Sequence, residues 1–302
     1  IADTNQEPPL VTEAPRGEFL AASADTEFVA FLGGDTNDPP AATSASQLMV
    51  RRRSTGELRR VSRTVAGVLA DPVDFPAVSF SGDGHRLVFQ STSPDLVPDD
   101  RNAGSDVFLY DWDHDTVELV SRRHDSLASS SPAAHSWVGP CSLSADGRSL
   151  VFLSADPSLA EGDTNGAPDV FVLDLETGTN QVVSANLAGA GTANAGAREP
   201  VISADGRWVA FTSTASDLVA NDTNRVEDVF LRDCTLGTTL LVSRNASGTS
   251  SANRASSKPA ISSDGRFVAF VSTATDLVSL DTDTNPDIYL FDRVQATVSL
   301  VT

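Results

Sequence analysis

Four loops of this 302-residue chain carry acids and amides at one spacing, Asp-x-[Asn/Asp]-x-x-x-Asp. They are Asp100, Asn102 and Asp106; Asp163, Asn165 and Asp169; Asp222, Asn224 and Asp228; and Asp281, Asp283 and Asp287. Oxygen side chains alternating along a tight loop can wrap a hard cation. Calcium, which takes about six to eight oxygens, suits such a loop better than magnesium, which keeps more of its water. A divalent ion would also relieve repulsion among carboxylates held close together. Three loops offer one more carboxylate eleven residues before the last Asp, at Asp95, Asp217 and Asp276, and Glu161 stands two residues before Asp163. The same residue types also close Asx turns and cap exposed loop backbone. The spacing supports a calcium site and a purely architectural loop alike.

The elements that must position these loops repeat with them. Near copies read SGDGHRLVFQSTSPDLVPDDRNAGSDVFLYD, SADGRSLVFLSADPSLAEGDTNGAPDVFVLD, SADGRWVAFTSTASDLVANDTNRVEDVFLRD and SSDGRFVAFVSTATDLVSLDTDTNPDIYLFD, and a degenerate fifth begins SADTEFVAFLGGDTND. A distance of 23 residues separates Asp83 from Asp106, Asp146 from Asp169, Asp205 from Asp228 and Asp264 from Asp287. A further 15 lead to Ser121, Ser184, Ser243 and Thr302. Length varies only in Ser-, Ala- and Gly-rich connectors, which are therefore expected on the surface.

Within a copy, short runs rich in Val, Phe and Leu are bounded by Gly, Asp and Asn, the pattern of strands, and Asp-Gly marks the hairpin turn. In RWVAFTS, Val209 and Phe211 point one way and Trp208 and Ala210 the other, so both faces are apolar. A strand sandwiched between two sheets needs that; a solvent-facing hairpin does not. Four strands per copy and five copies predict an all-β fold, a β-propeller of four-stranded antiparallel blades with five blades. The repeats are read at about 19–62, 76–121, 139–184, 200–243 and 259–302, as one domain covering 19–302. Residues 1–18 are read as an N-terminal extension or closing strand, and an open ring completed by another chain is a second reading of closure.

The pattern S-x-DG-R-x-[VA]-F-x-S, D-[VI]-[FY]-L-x-D, LVS resembles the PD40 or TolB-like β-propeller repeat, a WD40-like family, over nearly the whole chain from about Phe19 to Thr302. That resemblance implies a propeller, and a role among periplasmic scaffolds, polysaccharide or peptide binders, and non-catalytic modules of enzymes. The acidic loop between second and third strands departs from the common repeat. It resembles the later part of the calcium loops of integrin-type propellers, where one more oxygen ligand comes two residues earlier. Here that place holds Pro98, Glu161, Ala220 and Ser279.

Charge narrows the partners. With 21 basic and 41 acidic residues the net charge is −20, which repels nucleic acid and anionic membranes and suits cations. No apolar run reaches the roughly 18 residues of a membrane span, so no direct membrane insertion is expected. A start at Ile1 rather than Met is the expected mark of a removed leader or a trimmed chain. Together with the resemblance, these features imply a non-enzymatic, exported bacterial propeller, periplasmic, cell-surface or secreted, that acts as a scaffold binding a protein or glycan and is fit to be a subunit of a larger assembly. The alternative is a polysaccharide-acting enzyme, a lyase or glycosidase, with its pocket at the central channel.

Other side chains read as architectural. Arg86, Arg148, Arg207 and Arg266 follow the Asp-Gly turns and are expected to form ion pairs with the acidic loops. His85, His114, His124 and His135 lack zinc-site spacing. Trp112, Trp137 and Trp208 could stack on a sugar, Trp208 being the one placed in a strand and read as core. No nucleophile elbow is present. Cys141 and Cys234 lie in different copies, and their spacing does not decide whether they pair.

Overall fold

Each copy of the repeat folds into one four-stranded antiparallel sheet, and all four strands of each sheet are consecutive in the chain. The computed structural model describes residues 18–33, 47–63, 77–98, 100, 104–121, 135–281 and 283–302. Residues 1–17, nearly all of the expected closing segment, lie outside these, and Glu18 opens the first strand. Sheet 1 holds β1 (Glu18–Ala22), β2 (Phe28–Gly33), β3 (Gln47–Arg52) and β4 (Leu58–Arg60). Sheet 2 holds β5 (Val78–Phe80), β6 (Arg86–Ser91), β7 (Asp106–Asp111) and β8 (Thr116–Leu119). Sheet 3 holds β9 (Ser136–Trp137), β10 (Ser149–Ser154), β11 (Asp169–Asp174) and β12 (Asn180–Val182). Sheet 4 holds β13 (Ala197–Ile202), β14 (Trp208–Ser213), β15 (Asp228–Asp233) and β16 (Thr238–Leu241). Sheet 5 holds β17 (Ser256–Ile261), β18 (Phe267–Ser272), β19 (Asp287–Asp292) and β20 (Thr297–Leu300). The five blades expected from the repeats are all present.

The Asp-Gly turns form as expected. Ser203 Oγ donates to Asp205 Oδ1, which also accepts from the Arg207 amide at 3.1 Å, while Ser203 Oγ accepts from the Trp208 amide at 3.0 Å. The same bonds recur around Asp25, Asp83, Asp146 and Asp264. Gly206 supplies φ +74°, and Thr26 takes φ +60° at the corresponding place in the degenerate copy.

Packing between sheets follows one rule. The front of each of sheets 2 to 5 carries a stacked aromatic pair from its second and third strands: Phe89 and Phe108, Phe152 and Phe171, Phe211 and Phe230, Phe270 and Tyr289, with ring centroids 5.6–5.7 Å apart. That pair meets the aliphatic back of the preceding sheet. Phe211 and Phe230 pack with Val151, Val170 and Val172, and Phe270 and Tyr289 pack with Ala210, Val229 and Leu231. Val209 and Phe211 thus face sheet 3 while Trp208 and Ala210 face sheet 5, the two-sided burial that the sequence requires.

The central strands β14 and β15 are buried at every position. The two-residue bulges of β13 and β17 are tied together across the junction, the Lys258 amide donating to Glu199 Oε2 at 2.7 Å.

The arginines form ion pairs, but not with the acidic loops. Arg148, Arg207 and Arg266 bind Asp174, Asp233 and Asp292 at 3.0, 2.7 and 2.7 Å. Arg86 donates to the Gly147 carbonyl of the next sheet at 2.7 Å. The reason is register. Trp208 pairs with Asp233 and Ser213 with Asp228, so the Asp-Gly turn and the acidic loop sit at opposite ends of a strand about 17–20 Å long. Trp112 and Trp208 are buried, with the guanidinium groups of Arg59 and Arg293 lying 3.9 Å from their ring centres, which removes both as sugar platforms. Trp137 is half-buried beside His135. Cys141 and Cys234 are both free thiols, and burial pushes Cys234 up to about 12.

Phe211 is fully buried between two sheets. We expect Phe211→Ala to cost about 3–5 kcal/mol, read from the denaturation midpoint, while Leu236→Ala, 68% exposed, stays within about 0.5 kcal/mol. Equal, small effects at both positions would contradict two-sided packing.

Candidate metal centre

The 15-residue spacing has a structural cause. Each third strand opens on an Asp whose carboxylate accepts a hydroxyl from just beyond the fourth strand: Ser121 to Asp106 at 2.9 Å, Ser184 to Asp169 at 2.7 Å, Ser243 to Asp228 at 2.6 Å and Thr302 to Asp287 at 2.9 Å. The same hydroxyl accepts the amide after the Asp, as from Val229 to Ser243 at 3.0 Å. In the degenerate copy Gln47 replaces the Asp and Ser62 donates to its Oε1 at 2.9 Å. Sequence reasoning missed these hydroxyls, although their constant spacing was the signal that could have found them.

One carboxylate oxygen is thus committed to the sheet, and the other faces the loop. In sheet 4, Asp228 is fully buried and its Oδ2 has no hydrogen-bond partner. Asp222, 7% exposed, likewise leaves Oδ1 without one. Burial above all, then the charges of Asp222 and Asp276, pushes Asp228 up to about 7 against the hydrogen bond of Ser243 and the nearby amide of Asn224. Burial also raises Asp222, against bonds from Ser251 and the Asn224 amide. Asn224 spends its Oδ1 on the Val226 amide at 2.8 Å and its Nδ2 on the Ala252 carbonyl at 2.7 Å, tying the loop to the connector that leads to sheet 5.

The other loops vary this plan. In sheet 3, Asn165 Nδ2 donates to Asp169 Oδ2 at 3.0 Å, so an amide already satisfies the inward oxygen. Asp163 accepts from the Asn165 amide and Thr192 Oγ1, each at 3.2 Å. Burial pushes Asp169 up to about 6. In sheet 5 the central residue is Asp283, and oxygens of Asp281, Asp283 and Asp287 lie within 4.8 Å of one another. Asp281 also accepts the buried Tyr289 hydroxyl, and Asp283 accepts the Asn285 amide at 2.8 Å. In sheet 2, Asp100 and Asp106 are buried, and Asn102 lies outside the described residues.

The four accessory carboxylates are placed differently from the loops. Asp217 and Asp276 each accept a backbone amide of the connector before their own sheet, from Asn194 and Asn253, both at 2.9 Å. Through that placement Asp276 of sheet 5 acts on Asp228 of sheet 4. Asp95 and Glu161 are exposed. Of the histidines, His85 and His114 contact Asp113 and Asp111, His135 accepts the Ser105 amide, and His124 lies outside the described residues.

No family model and no curated protein matches the chain. Solved structures do. A TolB from Agrobacterium tumefaciens is 16% identical over 95% of this chain and 80% of its own, with TM-score 0.51. An oligogalacturonate lyase in complex with manganese is 14% identical over 95% and 66%, with TM-score 0.56. The propeller domain of the Trilobed protease from Pyrococcus furiosus, described as having an open velcro topology, is 8% identical over 93% and 69%, with TM-score 0.51. The chain spans 57% of the length of a TolB from Acinetobacter baumannii. These likenesses establish a propeller fold. Among the described residues, no helix is long and apolar enough to cross a membrane.

A folded-state pKa above the unfolded value means that the native state holds its proton longer. Asp228 therefore adds stability below about pH 4, and that stability is lost as pH rises through about 7. In chelator we expect the melting temperature to fall between pH 5 and pH 7.5, and Asp228→Asn to flatten that slope. An unchanged slope in the variant would contradict the buried, unpartnered carboxylate.

Proposed function

We propose that the chain is an exported, non-enzymatic propeller that presents a rigid face to a protein or glycan, with calcium stiffening the loops between second and third strands. The observation that carries this reading is the pair Asp222 and Asp228, both buried and each with an oxygen lacking a partner. Ionised carboxylates so placed are costly unless they are protonated or meet a cation. Asp222 and Asp228 would hold the ion, with Asp276 adding charge from the next sheet. Calcium would supply neutralisation and join the loop to the connector. Asp281, Asp283 and Asp287 would form the corresponding group in sheet 5. Sheet 3 would bind more weakly, because Asn165 must first withdraw its amide from Asp169.

The binding role draws on the repetition of the acidic spacing in four blades. The acids follow the repeat, whereas a catalytic centre needs one special blade. Likeness to the lyase and to the protease domain carries architecture only, so neither chemistry transfers. Net charge −20 further favours cationic partner surfaces over nucleic acid.

Calcium held only by the native state raises its stability by mass action. We expect a chelator to lower the melting temperature by on the order of several degrees at neutral pH. Calcium should restore it more fully than magnesium, and Asp228→Asn should abolish the response. Melting that ignores both chelator and calcium at low salt would overturn the metal. Turnover of an acidic or neutral polysaccharide, abolished by one substitution in the channel, would overturn the scaffold.

A further inference from the structure

Among the described residues, the rule that every front meets a back is not met by the back of sheet 5 or the front of sheet 1. On the backs of sheets 1 to 4, Leu48, Val107, Val170 and Val229 occupy one position and are each 0% exposed. The residue at that position in sheet 5 is Ile288, and it is 42% exposed. Around it Phe267, Ala269, Val271 and Leu290 are half-buried, whereas Trp208, Ala210, Thr212 and Leu231 of sheet 4 are buried. The opposite end mirrors this. Phe31 stands where Phe89, Phe152, Phe211 and Phe270 are at most 1% exposed, yet it is half-buried. Phe19, its register partner on β1, is 63% exposed, although Met49 beside Phe31 is covered. Among the described residues, no hydrogen bond or ion pair joins sheet 1 to sheet 5.

We propose that the back of sheet 5 is a docking face for the front of sheet 1 of a second copy of this chain, in a head-to-tail assembly. The contact continues an interface that the chain builds four times within itself, an aliphatic back against an aromatic-bearing front. Exposed Arg51 lies in register with Val29 on the free front. Because front and back differ, the contact is heterologous and propagates unless it closes. This inference does not depend on calcium.

Sedimentation of the 302-residue chain over a range of concentrations tests it. Wild type should pass from monomer to dimer and longer species. Ile288→Asp on the back and Phe19→Asp on the front should each lower association at least tenfold, since either sets an unpaired carboxylate against an apolar row. Mixed in equal amounts, the two variants should form a dimer and stop there, because only one competent front and one competent back remain. Circular dichroism confirms folding, and Val301→Asp, 60% exposed beside Ile288, replaces Ile288→Asp if that variant does not fold. A wild type that is monomeric at every concentration overturns the proposal, whether the chain's own segments or nothing covers the face. So does association that survives either variant, or a mixture that grows beyond the dimer.

Discussion

Everything in this molecule depends on a sheet with two apolar faces. A four-stranded sheet with one wet face could stand alone against a helix; one with Val209 and Phe211 on one side and Trp208 and Ala210 on the other cannot. Stacking sheet on sheet is the arrangement that dries both sides, and the ends of the stack inherit whatever the middle does not need to solve. The aromatic pair on the fronts of sheets 2 to 5 and the aliphatic row on the back of the sheet before each make successive copies interlock in one direction only.

The acidic loops are built on that stack rather than beside it. The Asp that opens each third strand is first a sheet residue, anchored by a hydroxyl from beyond the fourth strand. Only its second oxygen is available to the loop, and the neighbours decide its environment: an amide in sheet 3, no partner in sheet 4, a cluster of acids in sheet 5. Equal spacing therefore does not mean equal chemistry.

The repeat, the strands, the two-sided burial and the Asp-Gly turns were legible in the sequence because each is local or periodic. Val, Phe and Ala alternate within six residues, and Ser-x-Asp closes its own turn. What was not legible depends on contacts between segments far apart. Arg207 meets Asp233 rather than the loop because antiparallel register puts them at the same strand end. Asp276 acts on Asp228 because one sheet's loop reaches the junction with the sheet before it. Trp208 is covered by Arg293, a residue of the following copy. The 15-residue metric was visible, but its cause lies in a hydroxyl whose partner only folding reveals.

The first copy shows how far the scaffold and its charge can be separated. Gln47 takes the place of the strand-opening acid and still receives the Ser62 hydroxyl, and Ser62 still takes the Leu48 amide at 2.9 Å. The joint needs an oxygen, not an anion. Each blade is consequently a socket whose electrostatic insert can be exchanged on its own, so evolution or an engineer can rewrite one loop's charge while the surrounding framework stays as it was.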